Sequence, residues 1–178
     1  EMKVPVVGIC GGYQMMGAEL TDPDNVEHGG TMRGMGLLNT KTIFETSKTR
    51  TQIHGKAHSC AGYFEKMNGM AVTGYEIHMG RTQNLGGCVQ CIELEDGRTD
   101  ALMNAEGTVF GSYLHGLFDS EGVASAMVAK LFEKKGIDPE GEPFDLQAYK
   151  EKQYDALADV VRNALDMEKV YEILNQGI

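Results

Sequence analysis

No apolar run in this 178-residue sequence approaches the ~20 residues that a membrane-spanning helix needs. Positive charge is also short: 16 Lys and Arg stand against 26 Asp and Glu, a formal net charge of −10. That balance argues against a surface for nucleic acid or anionic membrane. Cysteine is scarce, with Cys10, Cys60, Cys88 and Cys91 only. Their spacing is unlike a secreted disulfide framework, and a chain of this size does not need one. The default reading is a reducing cytoplasm. No signal peptide is visible, because Glu1-Met2-Lys3 leads straight into an apolar segment. There is no internal repeat, low-complexity stretch or linker. There is no G-x-G-x-x-G, no Walker-type loop and no Lys-Ser/Thr ending to a glycine-rich turn, so a phosphate cradle has little support.

What is present suits one soluble domain with a real core: 42% hydrophobic and 24% charged residues. The decisive stretch comes early, at Val4-Pro5-Val6-Val7-Gly8-Ile9-Cys10-Gly11-Gly12-Tyr13-Gln14. The apolar residues 4–9 read as a buried strand, and residues 13–20 carry apolar positions at helical spacing. A strand, a sharp turn and a helix with the reactive atom on the turn is the physical form of a nucleophile elbow. Glycines suit so tight a turn, where a residue must often tolerate positive φ. A thiol at a helix N-terminus is expected to lean toward thiolate. The competing reading is a buried, unreactive cysteine beside a glycine-rich loop.

Farther along, Thr21-Asp22-Pro23-Asp24 signals a turn and residues 25–36 an exposed loop. Strands are expected at 37–44, 49–54, 71–79, 88–94, around 100–105 and at 107–114, with Asp96-Gly97 as a hairpin turn. The C-terminal part reads as helical over 122–135, stopping before Gly136 and Pro139, and over 145–174 with a break near Asp166. Its apolar stripe is most simply a packing face.

Three further constellations could carry chemistry. Tyr113-Leu114-His115-Gly116-Leu117-Phe118-Asp119 places a histidine just past a buried strand, at a sheet edge where open α/β folds bind ligands. Such a His could take a proton from Cys10 and return it to a leaving amine; a structural hydrogen-bonding role is the alternative. In Gly74-Tyr75-Glu76-Ile77-His78-Met79-Gly80, Glu76 and His78 share one side if the segment is extended. They would line a polar substrate site, or simply pair for local order. His54, His58, Cys60, Cys88 and Cys91 form a possible zinc set, with the two-residue gap of a knuckle at Cys88-Val89-Gln90-Cys91. In an alternating strand, however, positions three apart face opposite sides. No zinc is expected.

In their order, the Cys10, Gly74–Gly80 and His115 motifs closely resemble the glutamine amidotransferase part of the cobyric acid synthase family. The resemblance runs from residue 4 to about 119, with the helical tail similar in kind. It implies an α/β, class I glutamine amidotransferase-like three-layer fold with a mostly parallel sheet, incomplete at the N-terminal side. Residues 1–178 would be the C-terminal part of a single glutaminase domain. The missing first part would hold several strands and the second oxyanion donor. Cys10 would be the nucleophile, His115 its general base and acid, and the Gly11 amide an oxyanion donor. Gln14 would help to hold glutamine, with Tyr75, Glu76 and His78 on another wall. Ammonia would pass to the protein's own N-terminal synthetase domain and its corrinoid acceptor. ATP and Mg are implied only for that absent domain, no cofactor for this chain, and a homo-oligomer is a further possibility. One departure stands out: the wider class has a Glu two residues after the catalytic His, where this chain has Leu117. The family is known for lacking that group, and Glu76 and Asp119 are the candidates for orienting His115.

Overall fold

The computed structural model describes residues 4–138 and 145–177. By internal packing the chain divides into two units, 1–140 and 141–178. The larger unit is built on one mixed eight-stranded sheet. Its strands are β1 (Val6–Ile9), β2 (Glu19–Asp22), β3 (Gly30–Arg33), β4 (Thr40–Ala57), β5 (Ala71–Asn84), β6 (Cys88–Leu94), β7 (Thr99–Asn104) and β8 (Val109–Ser112). Seven of them run in the order β1-β8-β7-β6-β4-β2-β3, and β5 pairs with β4 off this path.

Parallel pairing, expected through most of the sheet, is confined to β1 with β8 and β2 with β4. The β4–β5, β4–β6, β6–β7 and β7–β8 pairs are antiparallel, and short turns join β6 to β7 and β7 to β8 as hairpins. The turn at Asp96-Gly97 between β6 and β7 is the one the sequence signals.

Alternation along the central strands sorts the core into two clusters. Val109 and Leu102 pack with Tyr13, Met16 and Leu38, while Phe110 and Met103 pack with Phe64, Cys91, Ile92, Leu114 and Val123. The first cluster includes the helix α1 (Gly11–Met16), and the second includes the 3-10 turn Gly62–Met67 and the helix α2 (Val123–Lys135). Helices therefore contribute to both faces of the sheet, giving the α/β layering. Each fully buried Phe or Leu contributes roughly 1.5–3 kcal/mol of transfer free energy. Helix α2 closes on Gly136 in the left-handed conformation, as the sequence signals. Pro139 lies outside the described residues.

Several boundaries differ from the sequence reading: the strand expected at 71–79 runs on to Asn84, the one expected at 107–114 is shorter, Val109–Ser112, and three others change the layout. The helix after Cys10 ends at Met16, because Gly17 is extended and Glu19–Asp22 joins the sheet, burying Leu20 and Asp22. The Asp22 carboxylate accepts backbone N–H bonds from Val26, Glu27, His28 and Gly29 at 2.8–3.0 Å, so it organises the turn that Pro23 begins. Within the expected loop 25–36, Gly30–Arg33 forms an exposed edge strand on β2. The two strands expected at 37–44 and 49–54 are one, β4, whose register against β5 shifts between Phe44 and Thr49. A bulge of this kind absorbs a polar break without ending the strand.

The smaller unit holds α3 (Leu146–Ala164) and α4 (Met167–Gln176). Asp145 and Asp166 cap them, each carboxylate accepting the N–H three residues on. Asp166 is thus the break expected in the long helical stretch. The stripe read as a packing face, including Leu157, Val160 and Leu165, is exposed.

Candidate active site

Cys10 stands at the end of β1 with φ 53° and ψ −112°, a conformation that non-glycine residues rarely adopt. Strain of this kind costs on the order of 1–3 kcal/mol and collects at functional sites. The surroundings hold it: Cys10 N–H donates to the Ser112 carbonyl at 2.9 Å, and the Cys10 carbonyl accepts Gln14 N–H at 3.0 Å. Helix α1 folds back so closely that a Cβ on Gly8 would overlap Met16 Cε and the Gly12 backbone. Around Gly11 and Gly12, by contrast, there is open space, and neither has positive φ. The residue that bears the tight turn is the cysteine itself.

The thiol is half-buried, and its Sγ lies 3.5 Å from the Ile77 carbonyl oxygen. Burial pushes its pKa above the ordinary cysteine value, and the Gly11 N–H beside the sulfur opposes that only in part. The sequence-level lean toward thiolate is therefore reversed. Desolvation outweighs the one N–H that the start of α1 offers the sulfur.

His115 follows β8, the parallel neighbour of β1, and Ile9 pairs with Ser112. Cys10 and His115 therefore leave the sheet at the carboxyl ends of adjacent parallel strands. An isolated antiparallel bridge then locks His115 to Tyr75, with Tyr75 N–H donating to the His115 carbonyl at 3.1 Å and the reverse bond at 2.9 Å. The Tyr75 ring stacks on the imidazole, centroids 4.9 Å apart and planes 2° from parallel. A Cβ on Gly74 would overlap the His115 carbonyl oxygen, so only glycine permits the approach. His115 Nε2 is buried and has no hydrogen-bond partner among the described residues. Leu117 is fully buried in the core, so no carboxylate stands at that position. Asp119 lies on the 3-10 turn Leu117–Asp119 that Gly116 opens.

Glu76 and His78 do share one side of β5, and they line a cavity of about 540 Å³ together with Tyr13, Gly80, Arg98 and Tyr113. Cys10, Gln14, Tyr75 and His115 are not in that lining. Glu76 is 3% exposed and accepts a bond from Arg98 Nη1 at 2.8 Å. Burial alone would raise its pKa, but His78 and Arg98 together hold the carboxyl below the ordinary glutamate value. His78 Nε2 is 3.9 Å from Glu76 Oε1, too long for a hydrogen bond, and has no hydrogen-bond partner among the described residues. Its Nδ1 is 2.8 Å from the Gly80 carbonyl, and its ring stacks on Tyr113 at 3.7 Å. Tyr113 reaches Thr82 at 2.6 Å and, weakly, Gln14 Nε2 at 3.5 Å. Gln14 is buried and lies against Gly80. Tyr113 thus stands between the cavity and the turn that carries Cys10.

Sequence reasoning missed Arg98, Asp100 and Ser112. Asp100 is buried, accepting from Ser112 Oγ at 2.5 Å and from Tyr113 N–H at 3.1 Å, while Ser112 Oγ accepts Leu114 N–H at 2.9 Å. Burial raises the Asp100 pKa against these bonds. The pair fixes the three residues that lead from β8 to His115. An acidic residue opening an otherwise apolar strand, Asp100-Ala101-Leu102-Met103, was the available signal.

Cys88 packs against the Tyr13 cluster and Cys91 belongs to the Phe64 cluster, so the two face opposite sides of β6. Cys60 adjoins Cys91 instead, 4.0 Å from its carbonyl. No group of three or more His, Cys, Asp or Glu among the described residues is placed to hold a metal ion. Among the described residues, the glycine-rich strand–turn–helix at β1 and α1 carries Cys10 and no lysine.

A family model described as a CobB/CobQ-like glutamine amidotransferase domain matches residues 1–123. The cobyric acid synthase of Ruminiclostridium cellulolyticum is 44% identical over 180 residues, covering 98% of this chain and 35% of that protein. That of Citrobacter koseri is 46% identical over 178 residues, with 97% and 35% covered. The chain thus spans about a third of the length of these curated relatives. Among solved structures, PurLQS from Thermotoga maritima matches with a TM-score of 0.52 at 16% identity, over 71% of this chain and 62% of that one. At that identity the likeness speaks for the fold alone.

Proposed function

The chain belongs to the CobB/CobQ-like glutamine amidotransferase family, and from that premise we propose that it is the glutaminase part of a cobyric acid synthase. The observation that carries this reading is the pairing of a cysteine on a strained turn with a histidine at the end of the adjacent parallel strand, its Nε2 buried and unpartnered. Cys10 Sγ attacks the side-chain carboxamide carbon of glutamine as His115 takes the thiol proton. The Gly11 N–H faces the developing oxyanion. His115 then protonates the departing nitrogen, the C–N bond breaks and ammonia leaves. Water, deprotonated by His115, hydrolyses the γ-glutamyl thioester to glutamate and restores the thiol.

A thiol with a raised pKa suits this order of events. It stays protonated and unreactive until the histidine accepts its proton. Gln14 and Tyr113 lie between the turn and the cavity lined by Glu76 and His78, and Gln14, Tyr75, Glu76 and His78 are the side chains this reading assigns to holding glutamine. Ammonia would then serve ATP-dependent amidation of side-chain carboxylates of adenosylcobyrinic acid a,c-diamide, by a synthetase domain outside this chain. The relatives' name and the one-third coverage support that assignment. A reducing cytoplasm, where four free cysteines persist, suits it too.

The test uses the protein expressed from its complete gene. Cys10→Ala or His115→Ala is expected to lower glutamine-dependent amidation at least about 10³-fold, with amidation from added ammonia retained. Loss of both activities would assign these residues to the fold or the synthetase instead.

One feature bears on the chain by itself. Among the described residues β1 has a partner on one side only, with Val6 37% exposed. An apolar parallel strand with a free edge invites pairing. The isolated chain is therefore expected to self-associate through this edge. Light scattering checks this; a monomer at micromolar concentration contradicts it.

A further inference from the structure

We propose that Tyr75 is the positioning residue for His115, fixing the imidazole and stabilising its protonated form in the place that a triad gives to a carboxylate. The inference rests on the glutaminase reading for its catalytic consequence, and on geometry alone for the positioning.

A general base with no orienting partner is inefficient. A histidine's χ2 occupies broad wells, so the ring needs something to hold its plane. In a Ser-His-Asp arrangement the acid holds the ring and stabilises the imidazolium that forms. Of the two acids that could orient it, Asp119 lies on the 3-10 turn Leu117–Asp119 and Glu76 is engaged elsewhere. Leu117 fills the position where a glutamate would stand, and the Glu76 carboxylate is bonded to Arg98 and directed at His78.

Tyr75 supplies the two functions separately. Its backbone exchanges two hydrogen bonds with His115, at 2.9 and 3.1 Å, which fixes the Cα position. Its ring lies within 2° of parallel to the imidazole, which fixes the plane. The negative face of an aromatic ring attracts a cation, so the stack favours His115 once it has taken the thiol proton. Tyr75 is 45% exposed, so core burial does not account for its placement. Two residues on along β5, the Ile77 carbonyl meets Cys10 Sγ. One short piece of strand therefore touches both partners of the reaction, about 7 Å of extended chain apart.

The experiment again uses the protein expressed from its complete gene and compares Tyr75→Phe with Tyr75→Leu. Steady-state glutaminase kinetics and the NMR shifts of the His115 ring protons, read by ¹³C-histidine labelling, are the two readouts. The account expects Tyr75→Phe to keep kcat within about threefold. Tyr75→Leu should lower kcat about 10–10²-fold with little change in KM, the size of effect that follows from a slightly misplaced catalytic group. The His115 ring protons, shielded by the stacked ring, should move downfield in Tyr75→Leu and stay in place in Tyr75→Phe. A higher KM with kcat unchanged would make Tyr75 a glutamine contact alone and overturn the proposal. Equal losses in the two variants would assign the effect to the hydroxyl and overturn it as well. Unmoved ring protons in a Tyr75→Leu protein that still folds would do the same. Wild-type protein that shows the expected shifts but releases no glutamate would leave the positioning standing and remove the glutaminase reading.

Discussion

Along β5, Glu76 and His78 point to one side and Tyr75 and Ile77 to the other, and the two sides meet different conditions. On the first, Glu76 has Arg98, which also holds Asp96, and His78 Nδ1 has the Gly80 carbonyl, while His78 Nε2 is buried without a hydrogen-bond partner among the described residues. On the second, Tyr75 and Ile77 approach groups whose bonding capacity is open. His115 Nε2 has no partner, and Cys10 Sγ has only a 3.5 Å contact to a carbonyl. A satisfied polar network rigidifies a scaffold, whereas a buried unsatisfied atom is costly and calls for a reason. The reason offered by the account is a substrate that completes the bonding. One strand thus turns its side chains at 76 and 78 toward the cavity and its backbone at 75 and 77 toward His115 and Cys10.

Substitutions on the two sides should therefore fail differently. Gly74→Ala should have the largest effect, because its Cβ has no room unless β5 and the His115 backbone part. Glutaminase activity is expected to fall about 10²-fold, with a stability loss of roughly 1–3 kcal/mol in urea unfolding. Retained activity would show that the bridge to His115 is dispensable. Arg98→Ala, on the framework side, should invert that ratio. It removes a charged bond from a buried carboxylate, so about 1–3 kcal/mol of stability should go, with kcat changed far less than by Gly74→Ala. A kcat loss as large as that of Gly74→Ala would erase the distinction between the sides.

The smallest effect is in pH dependence. The folded pKa of Glu76 is depressed, so its contribution to stability is complete above the ordinary glutamate value of about 4.3 and is lost as pH falls through the lower folded value. The wild-type thermal midpoint should therefore hold to near pH 4 and then decline. In Arg98→Ala, with one depressing partner gone, the decline should begin at higher pH. Superimposable profiles would show that the Arg98 pair does not stabilise the fold.

The parts of this site that depend on neighbouring residues were legible in the sequence. Glycine punctuation and apolar runs located β1, the turn at Cys10 and the exit of β8 at His115, because each is a local pattern. The contacts that tune the site were not. Arg98 reaches Glu76 from the β6–β7 hairpin, and Asp100 braces Ser112 from the next strand, across separations that no periodicity encodes. The stop of α1 at Met16 and the continuity of β4 through its bulge were decided by sheet pairing rather than by propensity. The direction of the Cys10 pKa went against the local argument for the same reason, since burial is a property of the assembled fold.

The central claim is that Cys10 is the atom glutamine acylates. Its most direct test is treatment with a diazo-ketone analogue of glutamine, followed by peptide mass spectrometry. The account predicts one adduct, on Cys10, suppressed by excess glutamine. A generic alkylating agent should show no comparable preference at neutral pH, because burial keeps that thiol protonated. An adduct on Cys60, Cys88 or Cys91, or glutamine hydrolysis that survives with Cys10 fully blocked, would contradict it.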